Sequence, residues 1–264
     1  VTLLSRYDAL LLDLDGTVYR GHAPVPGAPE AVAAARAAGL AIRFVTNNAS
    51  RSPQEVADHL AEIGFAPALD EVSTSAQAAA AMIADLVPAG STVLVLGTEA
   101  LVEQVRQRGL VPTRTADGAV GVIQGLSQDT GWRELAEACV AVRAGAVWVA
   151  CNVDLTLPTE RGLLPGSGSL VRALMAATDA EPLVAGKPAV PLLEQAAKSA
   201  GAQRPLVVGD RLDTDIAGAC NAGMDSLLVL TGVSTREEAM ALPEDQRPTH
   251  IADDLSVLSA TVSG

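Results

Sequence analysis

Aromatic side chains are almost missing from this sequence: two Trp, two Tyr and two Phe in 264 residues. Ala, Val and Leu must therefore fill the interior, and a hydrophobic share of 49% is ordinary for a globular protein. Lysine is scarce as well, represented only by Lys187 and Lys198. Basic charge falls short overall, since 18 Lys and Arg against 31 Asp and Glu leave a formal charge of −13. That balance argues against nucleic acid as a partner, and it obliges any phosphate site to find local compensation from a metal or a cation. The three cysteines, Cys139, Cys151 and Cys220, have neither paired nor metal-type spacing. They read as small buried hydrophobes in a reduced compartment. No basic-plus-apolar leader precedes Tyr7, and no apolar run reaches membrane-spanning length, so a cytoplasmic protein without membrane partners is expected. Internal repeats and low-complexity linkers are absent too.

What the chain does have is a run of apolar residues, Ala9 to Leu12, that enters Asp13-Leu14-Asp15-Gly16-Thr17. Such a run suits a strand buried on both faces of a parallel sheet, with the acids at its C-terminal end, where open α/β sheets place their ligands. Two carboxylates so close at a buried strand end are costly unless a cation accompanies them. Magnesium held by hard oxygen ligands beside a phosphate fits that demand. One carboxylate is then suited to attack phosphorus and the other to exchange protons with the leaving alcohol and with water. The bland alternative is a plain Asp-Gly turn.

Further strand ends carry complementary groups. A strand over 40–45 runs into Thr46-Asn47-Asn48-Ala49-Ser50 ahead of a helix over 53–63. The Thr46 hydroxyl and the Asn47 amide there are suited to phosphate oxygens, with Ser50 or Ser52 as helix cap. Lys187 stands between Gly186 and Pro188 before a helix over 190–200, placed to screen a carboxylate from a transferring phosphoryl group. A solvated lysine is the ordinary alternative. The strand over 205–209 ends in Asp210-Arg211-Leu212-Asp213-Thr214-Asp215. Asp210 is the natural third carboxylate for a metal, while Asp215 either caps the next helix or binds a metal-bound water. His22, in the short Gly/Pro-rich segment after Thr17, reads as a solvated loop histidine.

A second βα series occupies the middle: strands over 92–96, 121–123 and 146–150, and helices over 99–108 and 132–144. Because the phosphate-type residues resume only after it, the expected division is 1–87 and 184–264 for a core and 88–183 for an inserted domain.

In order, D-L-D-G-T, V-T-N-N, G-K-P and G-D-R-L-D-T-D resemble the four motifs of the haloacid dehalogenase-like hydrolases. T-N-N-A-S-R-S, N-V-D-L-T-L-P-T-E-R-G-L-L-P-G-S-G-S and the long insertion are similar to the 4-nitrophenyl-phosphatase-like subfamily, which includes glycerol 3-phosphate and phosphoglycolate phosphatases. The resemblance implies a Rossmann-like parallel-sheet α/β core with an inserted α/β cap domain. It also implies a magnesium-dependent phosphomonoester hydrolase working through an aspartyl-phosphate. It makes Asp13 the nucleophile and Asp15 the acid/base, with Thr46, Asn47 and Lys187 binding the phosphoryl group. Magnesium would be held by the Asp13 carboxylate, the Asp15 backbone oxygen and Asp210, with Asp215 behind them.

The same resemblance places 152–169 in the specificity region of the cap, where Asn152, Asp154, Thr159, Glu160 and Arg161 offer hydrogen bonds. With no aromatic residue to stack on a ring, that stretch suits a small polyol or hydroxy acid. Glycerol 3-phosphate is the expected substrate, then phosphoglycolate, then pyridoxal phosphate. A phosphotransferase or mutase would share all four motifs. An aspartate-phosphorylated switch would be smaller and would not suit D-x-D-G-T. A homo-oligomer through the cap is a further expectation.

Overall fold

The computed structural model describes residues 3–159 and 161–258. By its internal contacts the chain forms two compact units. Among the described residues, one comprises those up to Thr46, Pro53–Ser73 and those from Lys187 on; the other comprises those of Asn47–Ser52 and Thr74–Gly186.

The first unit is built on a six-stranded sheet. Its strands run in the order His250–Ala252, Asp225–Val229, Pro205–Gly209, Ala9–Leu12, Ala41–Thr46, Val72–Thr74. From His250–Ala252 through Ala41–Thr46 the pairing is parallel, with Leu11 opposite Val207 on one side and Arg43 on the other. Every residue of Ala9–Leu12 is buried, as a strand covered on both faces requires. Chain order reverses at this strand. The next sheet strand lies to one side, and Pro205–Gly209 returns to the other, which makes the carboxyl ends of these two strands a topological switch point. The core includes Leu10, Leu12, Ile42, Phe44, Leu60, Leu206 and Leu227, and aliphatic packing dominates it. After Thr17 comes a small antiparallel hairpin, Tyr19–Arg20 with Ala23–Pro24.

The second unit has its own five-stranded sheet, in the order Leu183–Val184, Val147–Ala150, Gly121–Gln124, Thr92–Leu96, Val111–Thr113, with parallel pairing throughout. The helices Trp132–Arg143 and Ser167–Thr178 pack together on this unit and share its apolar cluster. The insertion was expected to begin at about residue 88, but the helix Ser75–Leu86 already belongs here. Its Ala-rich buried face meets the helix Glu99–Gln107 and the strands Gly121–Gln124 and Val147–Ala150. Ile83 is packed so tightly that a Cβ on Gly121 would lie 2.9 Å from its Cδ1. The Thr74 hydroxyl caps this helix by accepting from the Gln77 N–H, and the Gln77 side chain accepts in return from the Thr74 N–H. An exposed antiparallel hairpin, Thr156–Thr159 with Gly162–Pro165, completes the unit. Among the described residues no helix is long and apolar enough to cross a membrane.

Candidate active site

Three neighbouring strand ends of the first unit bring its polar groups together. Asp13 follows Ala9–Leu12 and continues the ladder, donating its N–H to the Val208 carbonyl at 2.8 Å. Asp210 follows Pro205–Gly209, and Thr46 ends Ala41–Thr46 with its side chain buried. Asp13, Asp210 and Asp215 each offer a carboxylate oxygen within 4.8 Å of the others.

Lys187 enters this cluster from the far end of the sequence. Its Nζ donates to Asp13 Oδ1 at 2.6 Å, to Asp215 Oδ1 at 2.7 Å and toward the Val45 carbonyl at 3.4 Å. The side chain is 2% exposed, so an alternative reading as a solvated surface lysine does not hold. Burial pulls the ammonium down, but the Asp13 and Asp215 carboxylates outweigh that and hold it above the usual lysine range. Burial and the Asp215 charge push the Asp13 carboxyl up to about 8, against the pull of Lys187. Asp210 is pushed up to about 6, chiefly by burial and then by the Asp215 charge.

Asp215 sits in a single turn of π-helix, Leu212–Ile216, ahead of the helix Ala217–Ala222. It does not cap a helix. One oxygen accepts from Lys187 and the other from the Arg211 N–H at 3.1 Å, which aims the side chain into the core. Gly209 makes room for it, since a Cβ there would lie 2.3 Å from the Asp215 carboxylate. Asp213 turns outward onto Arg211.

Asp210 rests in a cradle that the sequence reading missed. The Val233 N–H donates to its Oδ2 at 2.8 Å, and the Thr17 hydroxyl reaches Oδ1 at 3.4 Å. A Cβ on Gly232 would lie 1.9 Å from Oδ2, and one on Gly16 2.5 Å from it. Gly16 also has φ +92°, the left-handed turn expected of it. The Thr231 hydroxyl donates to the Gly16 carbonyl at 2.6 Å, and Arg20 of the small hairpin donates to the Thr231 carbonyl. The available signal was a Thr-Gly pair at the end of an apolar strand, the same kind of strand end that carries Thr46. Asp15, bridged to Tyr19 immediately before the turn at Gly16, is exposed.

An oxygen-only donor set, walled on one side by glycines that leave no room for a side chain, fits a small hard cation. Asp13 and Asp210 would hold magnesium. Both oxygens of Asp215 are engaged by Lys187 and Arg211, which suits it to support the site from behind.

The remaining expected residues lie in the second unit. Asn47 donates its side-chain amide to Asp154, and its carbonyl accepts from Asn152 and Ser75. Thr159 and Arg161 are exposed at the hairpin, where the Thr159 hydroxyl closes the turn by donating to the Gly162 carbonyl at 2.8 Å. Glu160 lies outside the described residues. His22 is exposed, its ring edge-on to His59.

A family model described as haloacid dehalogenase-like hydrolase matches residues 10–111, and a second, HAD-hydrolase-like model matches 184–258. The chain is 52% identical over 258 residues to D-glycerol 3-phosphate phosphatase of Mycobacterium tuberculosis, covering 97% of this chain and 72% of that one. It is 38% identical to a 5'-nucleotidase of Bacillus subtilis, covering 96% of this chain and 98% of that one. The crystal structure of a glycerol phosphate phosphatase from Mycobacterium tuberculosis in complex with magnesium superposes with a TM-score of 0.94 at 51% identity. That match covers 98% of this chain and 78% of that one.

Proposed function

The chain belongs to the haloacid dehalogenase-like hydrolases, and on that premise we propose that this phosphatase hydrolyses glycerol 3-phosphate through an aspartyl-phosphate on Asp13. The observation that carries the reading is Lys187, a buried cation fixed between Asp13 and Asp215 at the switch point of the sheet. A lysine so placed neutralises Asp13 enough for it to approach an anionic phosphoryl group. Magnesium, when bound at Asp13, Asp210 and the Asp15 carbonyl, supplies charge neutralisation to the phosphoryl oxygens.

The roles of the chain's own residues follow. An Asp13 carboxylate oxygen forms a bond to phosphorus while the ester P–O bond breaks. Asp15, exposed beside the turn, gives its proton to the departing glycerol oxygen. The resulting Asp15 carboxylate takes a proton from water, whose oxygen attacks phosphorus, releasing phosphate and restoring Asp13. Thr46 and Asn47 hold the phosphoryl oxygens. We read the second unit as the family's cap, with Thr159 and Arg161 on its exposed hairpin available to a polar leaving group. A homo-oligomer through this unit is part of the same proposal.

Support for glycerol 3-phosphate comes from the 52% identity to an enzyme of that name and from a hairpin that offers hydrogen bonds without a stacking ring. A pocket that bonds hydroxyls rejects substrates lacking them strongly. The test is phosphate release with magnesium from glycerol 3-phosphate, phosphoglycolate, pyridoxal phosphate and a nucleoside 5'-monophosphate. We expect kcat/KM to be highest for glycerol 3-phosphate. A higher value for pyridoxal phosphate or the nucleotide would overturn the substrate but not the chemistry, whereas full activity in Asp13→Asn would overturn the chemistry.

A further inference from the structure

Asn47 is the first residue beyond the strand Ala41–Thr46, and three side chains of the second unit grip it. Its backbone carbonyl accepts from Ser75 Oγ at 2.6 Å and from Asn152 Nδ2 at 2.7 Å. Its side-chain Nδ2 donates to the Asp154 carboxylate, at 3.2 Å to Oδ2 and 3.4 Å to Oδ1. On another side a Cβ on Gly186 would lie 2.7 Å from Asn47 Oδ1 and 2.5 Å from the Cys151 carbonyl, so only glycine allows the amide this place. Asn152 is 5% exposed, and its Oδ1 accepts from the Asp154 N–H at 3.2 Å. One buried amide therefore holds both the Asn47 backbone and the Asp154 backbone.

An Asn side chain has two nearly isosteric orientations, and its neighbours decide which way the NH₂ points. A carboxylate accepting one N–H fixes the direction of the other and polarises it toward an acceptor. Residues held in such contacts have little freedom to follow the shape of a leaving group. We propose that Asp154 and Asn152 are positioning residues for Asn47, serving the phosphoryl group common to every substrate, and that they do not select the leaving group. The proposal rests on the reading of Asn47 as a phosphoryl ligand. It revises the expectation, drawn from sequence, that both residues belong to the specificity set.

The two roles separate kinetically. Loss of an interaction with the phosphoryl group weakens all substrates and inorganic phosphate alike, whereas loss of a leaving-group contact changes the ratio between substrates. In the full chain, Asp154→Ala should raise KM for glycerol 3-phosphate and phosphoglycolate, and the inhibition constant of inorganic phosphate, by a common factor of about 10. Their kcat/KM ratio should stay constant. Asp154→Asn keeps an oxygen acceptor and should recover most of the loss. The side-chain amide resonance of Asn47, identified by its disappearance in Asn47→Ala, should shift in Asp154→Ala. If Asn152→Ala does not fold, the half-buried Asp154 decides alone. A ratio changed more than about fivefold with the phosphate constant unmoved overturns the proposal, because these residues then face the leaving group. An unmoved phosphate constant in Asp154→Ala overturns it as well, provided Asn47→Ala raises that constant. If Asn47→Ala leaves it unmoved, the phosphoryl role of Asn47 itself fails, and the positioning role falls with it.

Discussion

Lys187 and Asp215 form the most deeply buried ion pair among the described residues, 2.7 Å from Nζ to Oδ1 with side chains 2% and 1% exposed. A buried pair of this kind contributes little net stability, because desolvation cancels much of the attraction. Its use lies in what it does to a third group. With Asp215 held behind it, the ammonium reaches Asp13 at 2.6 Å, and Asp210 adds a further carboxylate nearby. One lysine against three acids leaves a net negative site that calls for a cation.

Replacing Lys187 with Met strands two buried carboxylates. Activity should fall by about 10²–10³-fold, as for loss of a single electrostatic anchor of the transition state. Stability should fall by about 3–5 kcal/mol, the usual cost of breaking a buried pair. Without the pull of the ammonium, Asp13, already raised in the parent, binds its proton more tightly still when folded, so acid relieves the defect. Urea unfolding at acid and at alkaline pH should show a smaller gap from the parent in acid; an equal gap would mean that the loss is one of packing.

Magnesium affinity should rise with pH. Asp13 is pushed up to about 8 and Asp210 to about 6. For carboxylates raised in this way, the contribution to stability is fully present below the ordinary carboxylate value and is lost as pH climbs through the folded values. The metal-free protein therefore loses that contribution on the way from acid to alkaline conditions. Binding the ion displaces the same protons. Thermal melts with and without magnesium should show a larger stabilisation near pH 8 than near pH 5, each taken as about that value.

Gly232→Ala should damage the metal site without unfolding the sheet. The added Cβ would stand 1.9 Å from Asp210 Oδ2, so the carboxylate must move off the Val233 N–H. Calorimetry should find magnesium binding weakened by about 10-fold or more, in the range of lost support around metal ligands. Thr231→Ser keeps the hydroxyl that donates to the Gly16 carbonyl and should bind magnesium like the parent.

Tyr7→Phe offers a control at the opposite end of the strands. The phenol, pushed up to about 12 by burial and by Asp225, donates to Asp225 at 2.8 Å and lies 2.8 Å from His250 Nε2. Its loss should cost about 1–2 kcal/mol, typical of a partly buried hydrogen bond. Chemical unfolding should detect that cost, while kcat for glycerol 3-phosphate stays unchanged.

Much of this was legible along the chain. Strands such as Thr92–Leu96 and Pro205–Gly209 announce themselves as apolar runs bounded by turn residues. Because parallel strands deliver their C-terminal ends to one edge, the acids at Asp13 and Asp210 and the hydroxyl at Thr46 are legible as neighbours in the sequence itself. The hairpin Thr156–Thr159 with Gly162–Pro165 could not, since it is mostly exposed and no buried alternation marks it. Nor could Val72–Thr74 and Val111–Thr113, which are three residues each and too short for a period to show.

Residue order therefore determined the strand ends, the α/β class and the acids that cluster at one edge, because those follow from local patterning and the rules of parallel sheets. Only the tertiary structure decided how these groups are held. The π-turn that aims Asp215 at Lys187, the Gly232 wall behind Asp210 and the grip of Asn152 and Asp154 on Asn47 join residues 28, 22, 105 and 107 positions apart. Contacts of that kind depend on a missing Cβ or on the direction of an amide in the folded core, and no local pattern of residues encodes either.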